Sequence, residues 1–425
     1  MSAPDLSLLA KRRFGPLFVV QFLGAFNDNA LKYAMLFLAS FTLYADAPAK
    51  SAMLATLSTG IFMLPYFLFS GLGGELADGI DKARLIRWVK MAEILFMAIG
   101  LAGLALPSIP LLLVALFCMG CHSTIFGPVK YSIMPQHLHA DELLGGIGVI
   151  EGGTFLAILG GQLLAGFVSP FAAGAIATLL AVCGLLASLA ITPAPPLAKV
   201  RITRNPFTST WQVLKAGHDS PDGWLAILGI SWFFAVGAVV ASELLPLVSG
   251  TLGGAEHVVT LFLVIFSVAI ALGSMLVNRL LAGETSAKFV PASALAMGLF
   301  LIDLWWATSG FVVVHPHASI AQFFASPGSG RILVDLAGLA LSGGMFVVPL
   351  YAILLVESPA EARSRVIAAN NIVNSLVMVP VVLIATVLLG RGFTVPQVIG
   401  MTGAATMPVA LMSLWLRPGK ARAKV

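Results

Sequence analysis

The sequence predicts an all-α membrane protein: twelve transmembrane helices in two six-helix bundles. Three observations lead there. Hydrophobic residues make up 59% of the 425 residues and charged residues 10%, with a mean hydropathy of +0.98; a soluble domain carries about 25% charged residues. Apolar stretches of spanning length, about 20 residues each, recur six times, give way to a proline-rich basic segment, and recur six times more. Lysine and arginine fall mostly on one set of the intervening loops, the signature of a fixed orientation in the bilayer. Six spans, a linker and six spans is the plan of two bundles facing one another across a midplane site.

The first six stretches are 14–44, 51–77, 85–106, 110–130, 142–168 and 171–192. The second six are 223–249, 257–282, 286–313, 331–356, 364–389 and 394–416. Residues 1–192 therefore form an N-terminal bundle, 193–222 a cytoplasmic linker and 223–425 a C-terminal bundle. The linker carries Pro193, Pro195, Pro196, Lys199, Arg201, Arg204 and Lys215. The first stretch is too long for the core of a cleavable signal peptide and is itself a span. Orientation follows from the basic residues. Of the 24 lysines and arginines, only Lys50, Arg331 and Arg391 lie on the outer side if the N-terminus is inside, and Lys32 and Lys130 fall in or near the membrane. The rest, among them Lys82, Arg84, Arg87 and Lys90, are cytoplasmic on this scheme, so both termini are expected in the cytoplasm.

Several function classes drop out. The basic residues are scattered over short loops, which argues against nucleic-acid binding. Cys118, Cys121 and Cys183 all lie in apolar stretches and suggest no disulfide framework. Cys118-Met119-Gly120-Cys121-His122 spells the C-x-x-C-H haem-attachment pattern, but inside an apolar span, with no second axial ligand in sight. His315-Pro316-His317 is too short and isolated for a metal site. No serine–histidine–acid set is placed for chemistry. The expectation is a protein without cofactor or metal that is not an enzyme.

The informative residues are the charges inside spans. A charged side chain at the bilayer centre costs roughly 2.5–3.5 kcal/mol on insertion scales. Asn27-Asp28-Asn29 lies in the first span, and Gln21, Asp28 and Lys32 share one helical face. Lys130 closes the fourth span in Gly127-Pro128-Val129-Lys130-Tyr131, and Glu151 lies in the fifth. In the second half stand Glu243, Asp303, Asp335 and the cluster Asn370, Asn371 and Asn374. Two cations and two carboxylates in one half suit a zwitterionic substrate, a carboxylate holding an ammonium and a lysine holding a phosphate. The candidate substrate set is Asp28, Asn29, Lys32, Lys130, Glu151, Glu243, Asn370 and Asn371. Asp28 is expected on the ammonium and Lys130 on the phosphate, with Glu151 in support and Lys32 keeping Asp28 ionised when the site is empty. The fifth span also crowds glycines, with Gly148 and Gly152 one turn apart, for close helix contact.

Between the second and third spans runs Gly74-Glu75-Leu76-Ala77-Asp78, followed by Lys82 and Arg84. A short glycine-rich turn lets helix ends approach, and an aspartate there can meet a loop arginine or a helix N-terminus. Gly74, Asp78, Lys82 and Arg84 are expected to form a conformational latch in which Asp78 pairs with Arg84. The pattern resembles the G-x-L-A-D-(x)n-R loop of the major facilitator superfamily.

Within that superfamily the chain resembles the lysophospholipid transporters. The resemblance is carried by Gln21-Phe22-Leu23-Gly24-Ala25-Phe26-Asn27-Asp28-Asn29-Ala30-Leu31-Lys32, by Gly127 to Tyr131, and by the Gly146 to Gly166 stretch around Glu151. Ser364-Arg365-Val366-Ile367-Ala368-Ala369-Asn370-Asn371-Ile372 is similar to the branch fused to an acyltransferase and an acyl-acyl-carrier-protein synthetase. The resemblance implies a flippase of the bacterial inner membrane. It would move lysophospholipid, chiefly lysophosphatidylethanolamine, from the outer to the inner leaflet for reacylation by a separate acyltransferase. It also puts Asp28, Lys130 and Glu151 at the substrate or gating site. The alternative is a proton-coupled carrier of a small amphipathic solute or drug, with Asp28 and Glu151 as proton carriers.

Overall fold

The computed structural model describes residues 5–44, 48–198, 200, 203 and 205–416. Among these the secondary structure is helical apart from one isolated bridge between Gly254 and Ala318. In chain order the helices are α1 (Gly15–Leu38), α2 (Pro48–Gly79), α3 (Lys82–Ala105), α4 (Ile109–Ser132), the short α5 (Met134–His137), α6 (Ala140–Phe167) and α7 (Pro170–Leu189). Then come α8 (Pro206–His218), α9 (Pro221–Pro246), α10 (Glu256–Leu280), α11 (Val290–Ser309), the short α12 (Ile320–Ala325), α13 (Ser329–Glu357), α14 (Arg363–Gly390) and α15 (Val395–Met412). Both α1 and α9 run on into a turn of π-helix, Ala39–Leu43 and Leu247–Thr251.

Eleven of the described helices are long and apolar enough to cross a membrane. The twelfth spanning helix is α1, whose apolar run is broken by Asn27, Asp28, Asn29 and Lys32. Twelve helices at the expected positions bear out the all-α, twelve-span architecture. Helix ends follow local chemistry: the Asp81 carboxylate accepts from the Arg84 amide to cap α3, and Ser169 caps α7 in the same way. Prolines inside α2, α4, α13, α14 and α15 are tolerated because neighbouring helices satisfy the freed backbone in a membrane.

Two features go beyond the sequence expectation. The linker segment holds a helix, α8. And Lys90, counted with the cytoplasmic basic residues, is fully buried in α3. Lys82 opens that helix, so Lys90 sits about 12 Å along its axis.

The chain forms two compact units, 1–220 with 358–372, and 221–357 with 373–425. The first ten residues of α14 thus pack with the first unit. In the first unit α1 packs on α6 and α7, α2 on α4, and α3 on α4 and α7. In the second, α10 packs on α13, and α11 on α13 and α15. Close crossings occur where glycine removes the side chain. At Gly161 on α6 a Cβ would stand 2.4 Å from the Phe26 carbonyl oxygen of α1. At Gly120 on α4 it would stand 2.4 Å from the Phe62 carbonyl of α2. The second crossing sets the height of His122 and Ser123, which follow on the same helix.

Candidate functional site

Asp28 is half-buried near the middle of α1. Its Oδ2 accepts from the Ser123 hydroxyl of α4 at 2.8 Å. Its Oδ1 is buried and has no hydrogen-bond partner among the described residues. Lys32, one turn along, does not pair with it: the Lys32 ammonium donates to Thr59 of α2 at 2.9 Å. The role expected of Lys32, keeping Asp28 ionised, is served by no direct pairing, because the lysine side chain leans toward α2. Asn29 turns back on its own helix and donates to the Ala25 carbonyl.

Behind Asp28 lies a polar network that sequence reasoning missed. Lys90 and Glu93, i and i+3 on α3, form an ion pair with both side chains 0% exposed. The other Glu93 oxygen accepts from the Asn27 amide of α1 at 2.9 Å. His122 of α4 brings its Nε2 to 3.3 Å from Glu93 and its Nδ1 to 3.4 Å from the Ser123 oxygen. Glycines make the space: a Cβ on Gly24 of α1 would meet the Lys90 ammonium at 3.2 Å, and one on Gly184 of α7 would meet its Cε at 3.0 Å. A signal was available. Lys90 and Glu93 stand one turn apart inside a stretch long enough to span, as a buried pair requires.

Lys130 lies seven residues beyond Ser123 on α4, about 10 Å along the helix. Its ammonium sits 4.6 Å from the Tyr131 ring centroid. The Tyr131 hydroxyl donates to the buried Glu151 of α6. Lys130, Tyr131 and Glu151 thus form a second cluster, distinct from the one at Asp28. Asn370 is fully buried, and Asn371 lies on the α14 segment that packs with the first unit. A Cβ on Gly127 of α4 would stand 3.1 Å from the Asn371 amide. In the second unit Glu243 is buried with Ser242 at 3.4 Å, and Asn374 accepts from the Ser231 hydroxyl at 2.7 Å. Asp303 pairs with Arg331 at the surface of that unit.

The latch differs from its expected form. Asp78 pairs with Arg365, not Arg84: its Oδ2 accepts from the Arg365 Nε at 3.1 Å. It also accepts from the backbone amides of Ser364 and Arg365 at 3.0 and 3.3 Å. The carboxylate therefore caps the N-terminus of α14, where orphan N–H groups and the helix dipole favour an anion. Gly74 permits the approach, because a Cβ there would stand 2.8 Å from the Ala368 Cβ. Arg84 instead lends only its backbone amide to Asp81, and Lys82 is buried near Asp78.

Comparison with known proteins fits this architecture. The model of the Major Facilitator Superfamily matches residues 17–382. The chain belongs to the major facilitator superfamily. That makes it a membrane transporter rather than an enzyme. It is 27% identical to a protein of Photorhabdus laumondii named lysophospholipid transporter LplT, with 96% of each chain covered. A protein of the same name from Enterobacter sp. is 25% identical over 93% of each chain. Among solved structures, the human organic anion transporter MFSD10 superposes with a TM-score of 0.73 at 14% identity, covering 98% of this chain and 100% of that one. FucP in its outward conformation gives 0.72 at 13% identity, covering 96% and 99%. These two likenesses concern the fold.

Proposed function

We propose that the protein is a lysophospholipid flippase of a bacterial inner membrane, with both termini in the cytoplasm. It moves chiefly lysophosphatidylethanolamine from the outer to the inner leaflet, where a separate acyltransferase restores the second chain. The observation that carries this is the pair Asp28 and Lys32. They stand about 6 Å apart along one helix, and each is tied to a hydroxyl rather than to the other. A carboxylate and an ammonium kept apart at membrane depth suit a ligand bearing both charges. The ethanolamine ammonium would meet the Asp28 Oδ1 and the phosphate would meet Lys32. Lys130, further along α4, would take the phosphate at a later point on the path, held by Tyr131 and Glu151. Asn29, Asn370 and Asn371 would line the polar route in the first unit, and Glu243 would serve the substrate in the second. Asp78, Gly74, Lys82 and Arg365 would govern the conformational change.

The test is leaflet transfer of labelled lysolipid in proteoliposomes. Asp28→Asn is expected to abolish transfer of the ethanolamine lysolipid. Lys32→Ala and Lys130→Ala should each slow transfer of any phosphate-bearing lysolipid by about 10-fold or more, the loss of one charge-assisted hydrogen bond. Monoacylglycerol, which lacks the phosphate, should be indifferent to both. Normal transfer by all three variants would remove these charges from the site. Failure of the wild type to move lysolipid, together with proton-driven movement of a small amphipathic solute, would favour the alternative carrier.

A further inference from the structure

The buried chain from α3 to α1 raises a question of proton count. Its members are Lys90, Glu93, His122, Ser123 and Asp28, linked in that order. With a neutral imidazole the cluster holds two carboxylates against one ammonium and is left one positive charge short. Burying that imbalance is unfavourable.

The contacts point the same way. His122 brings Nε2 to 3.3 Å from a Glu93 oxygen, and a proton on Nε2 is the arrangement that faces that carboxylate favourably. Ser123 has one proton and gives it to Asp28. A neutral imidazole would then set a bare Nδ1 3.4 Å from a Ser123 oxygen whose own proton is given to Asp28. One added proton repairs every link. It resides on Nδ1, with Asp28 ionised. Alternatively it resides on Asp28, which then donates to Ser123 while Ser123 donates to Nδ1. The two forms interconvert by proton shifts through the Ser123 hydroxyl and are one macroscopic state. Among the described residues, the groups that act on Asp28 are His122, Ser123, Glu93 and Lys90. Tyr66 faces it and Ser123 from α2, Lys32 turns away to Thr59, and Gly184 of α7 packs on Lys90.

We propose that this cluster is a single-monocation site, occupied by a proton when empty of lipid and by the lipid's ammonium when loaded. His122, Glu93 and Lys90 are its positioning residues. The inference rests on the lysophospholipid reading above and adds what happens to the proton. An ammonium arriving at the open Oδ1 of Asp28 supplies the missing positive charge. The proton already held becomes surplus and leaves to water. The exchange balances as one ammonium bound and one proton released. A lysolipid without a cationic group, such as lysophosphatidylglycerol, offers nothing to exchange.

The experiment is calorimetric titration of purified full-length protein in detergent, in buffers of differing ionisation enthalpy, across about pH 5.5 to 8.5. Lysophosphatidylethanolamine should release about one proton per lipid at the maximum. Where release is complete, apparent affinity should rise with pH by about tenfold per unit. Lysophosphatidylglycerol should release none. His122→Gln removes the Nδ1 resting place and leaves Asp28 as the other, so release should persist with its pH range clearly displaced from the wild type's. Binding of both lipids by the wild type with the same proton count would overturn the exchange and leave the transport reading intact. So would a pH profile of release in His122→Gln identical to the wild type's. Failure of either lysolipid to bind would instead count against the function on which the inference rests. The comparison of two lipids on the wild type decides the matter even if the variant does not fold.

Discussion

Each unit holds an acid–base pair on its spanning helices, within α3 in the first and between α11 and α13 in the second, and the two pairs differ in their exposure. Lys90 and Glu93 in the first unit are 0% exposed, and every contact they make is inside the protein. Arg331 and Asp303 in the second have side chains 52% and 39% exposed. The second pair lies open at the unit surface, where an exposed ion pair adds little. The first has no such alternative. It is held by glycines on two other helices and by an asparagine and a histidine, so removing either partner strands a buried charge. A pairing of cation with carboxylate is thus an interchangeable surface contact in one place and a required core element in the other.

The sharpest way to break this comparison is Lys90→Ala. It leaves Glu93 without its ammonium and should destabilise the protein by about 3–5 kcal/mol, seen as a large fall in the midpoint of thermal unfolding in detergent. Lys90→Met combined with Glu93→Leu should recover most of that loss, since a packed apolar pair can replace a buried ionic one. If the single variant unfolds like the wild type, the pair is not buried as described. A smaller effect is expected at Asp78→Asn, which keeps the shape and loses the charge that caps α14 and meets Arg365. Loss of roughly 1–3 kcal/mol and slower transport are expected, with lysolipid binding nearly intact, whereas Arg84→Ala should leave both unchanged. An Arg84 variant as defective as Asp78→Asn would restore the pairing that the sequence suggested. Smallest of all, Asp303→Asn should produce no measurable change in unfolding midpoint at physiological salt. A clear drop there would erase the contrast between the two pairs.

The fold was legible because its signals are long. Twenty apolar residues in a row can hardly be anything but a span, and twelve such runs with a basic break between them leave little choice of architecture. The candidate site was legible only where one residue stood out against its helix. Asp28, Lys130 and Glu151 did so, since each interrupts an otherwise apolar run. Lys90 and Glu93 were hidden by their position near a helix start, where basic residues normally face the cytoplasm. His122 was hidden by a cysteine pattern that drew attention to the wrong chemistry. The partner of Asp78 could not be read from the local sequence at all. Arg84 is six residues away and Arg365 is 287 residues away, and only the packing of the α14 start against Gly74 brings the second within reach.

The linker carries a consequence of its own. Its early part is fastened where the Ala194 amide donates to Asp81. Its later part is fastened where Glu75 accepts from the Thr203 amide and the Ser209 hydroxyl. α8 then lies against α2 as far as His218. A stretch of some thirty residues that would otherwise behave as a loose tether, with the broad end-to-end distribution of a flexible chain, is reduced to the few residues between His218 and Pro221. The carboxylates Glu75 and Asp81, which flank the Asp78 contact in sequence, thereby set the effective length of the connection at residues 220 and 221, one of three places where the chain passes from one unit to the other. An insertion of flexible residues after His218 would lengthen that connection, whereas the same insertion near Pro196 would be absorbed by a segment already pinned at both ends.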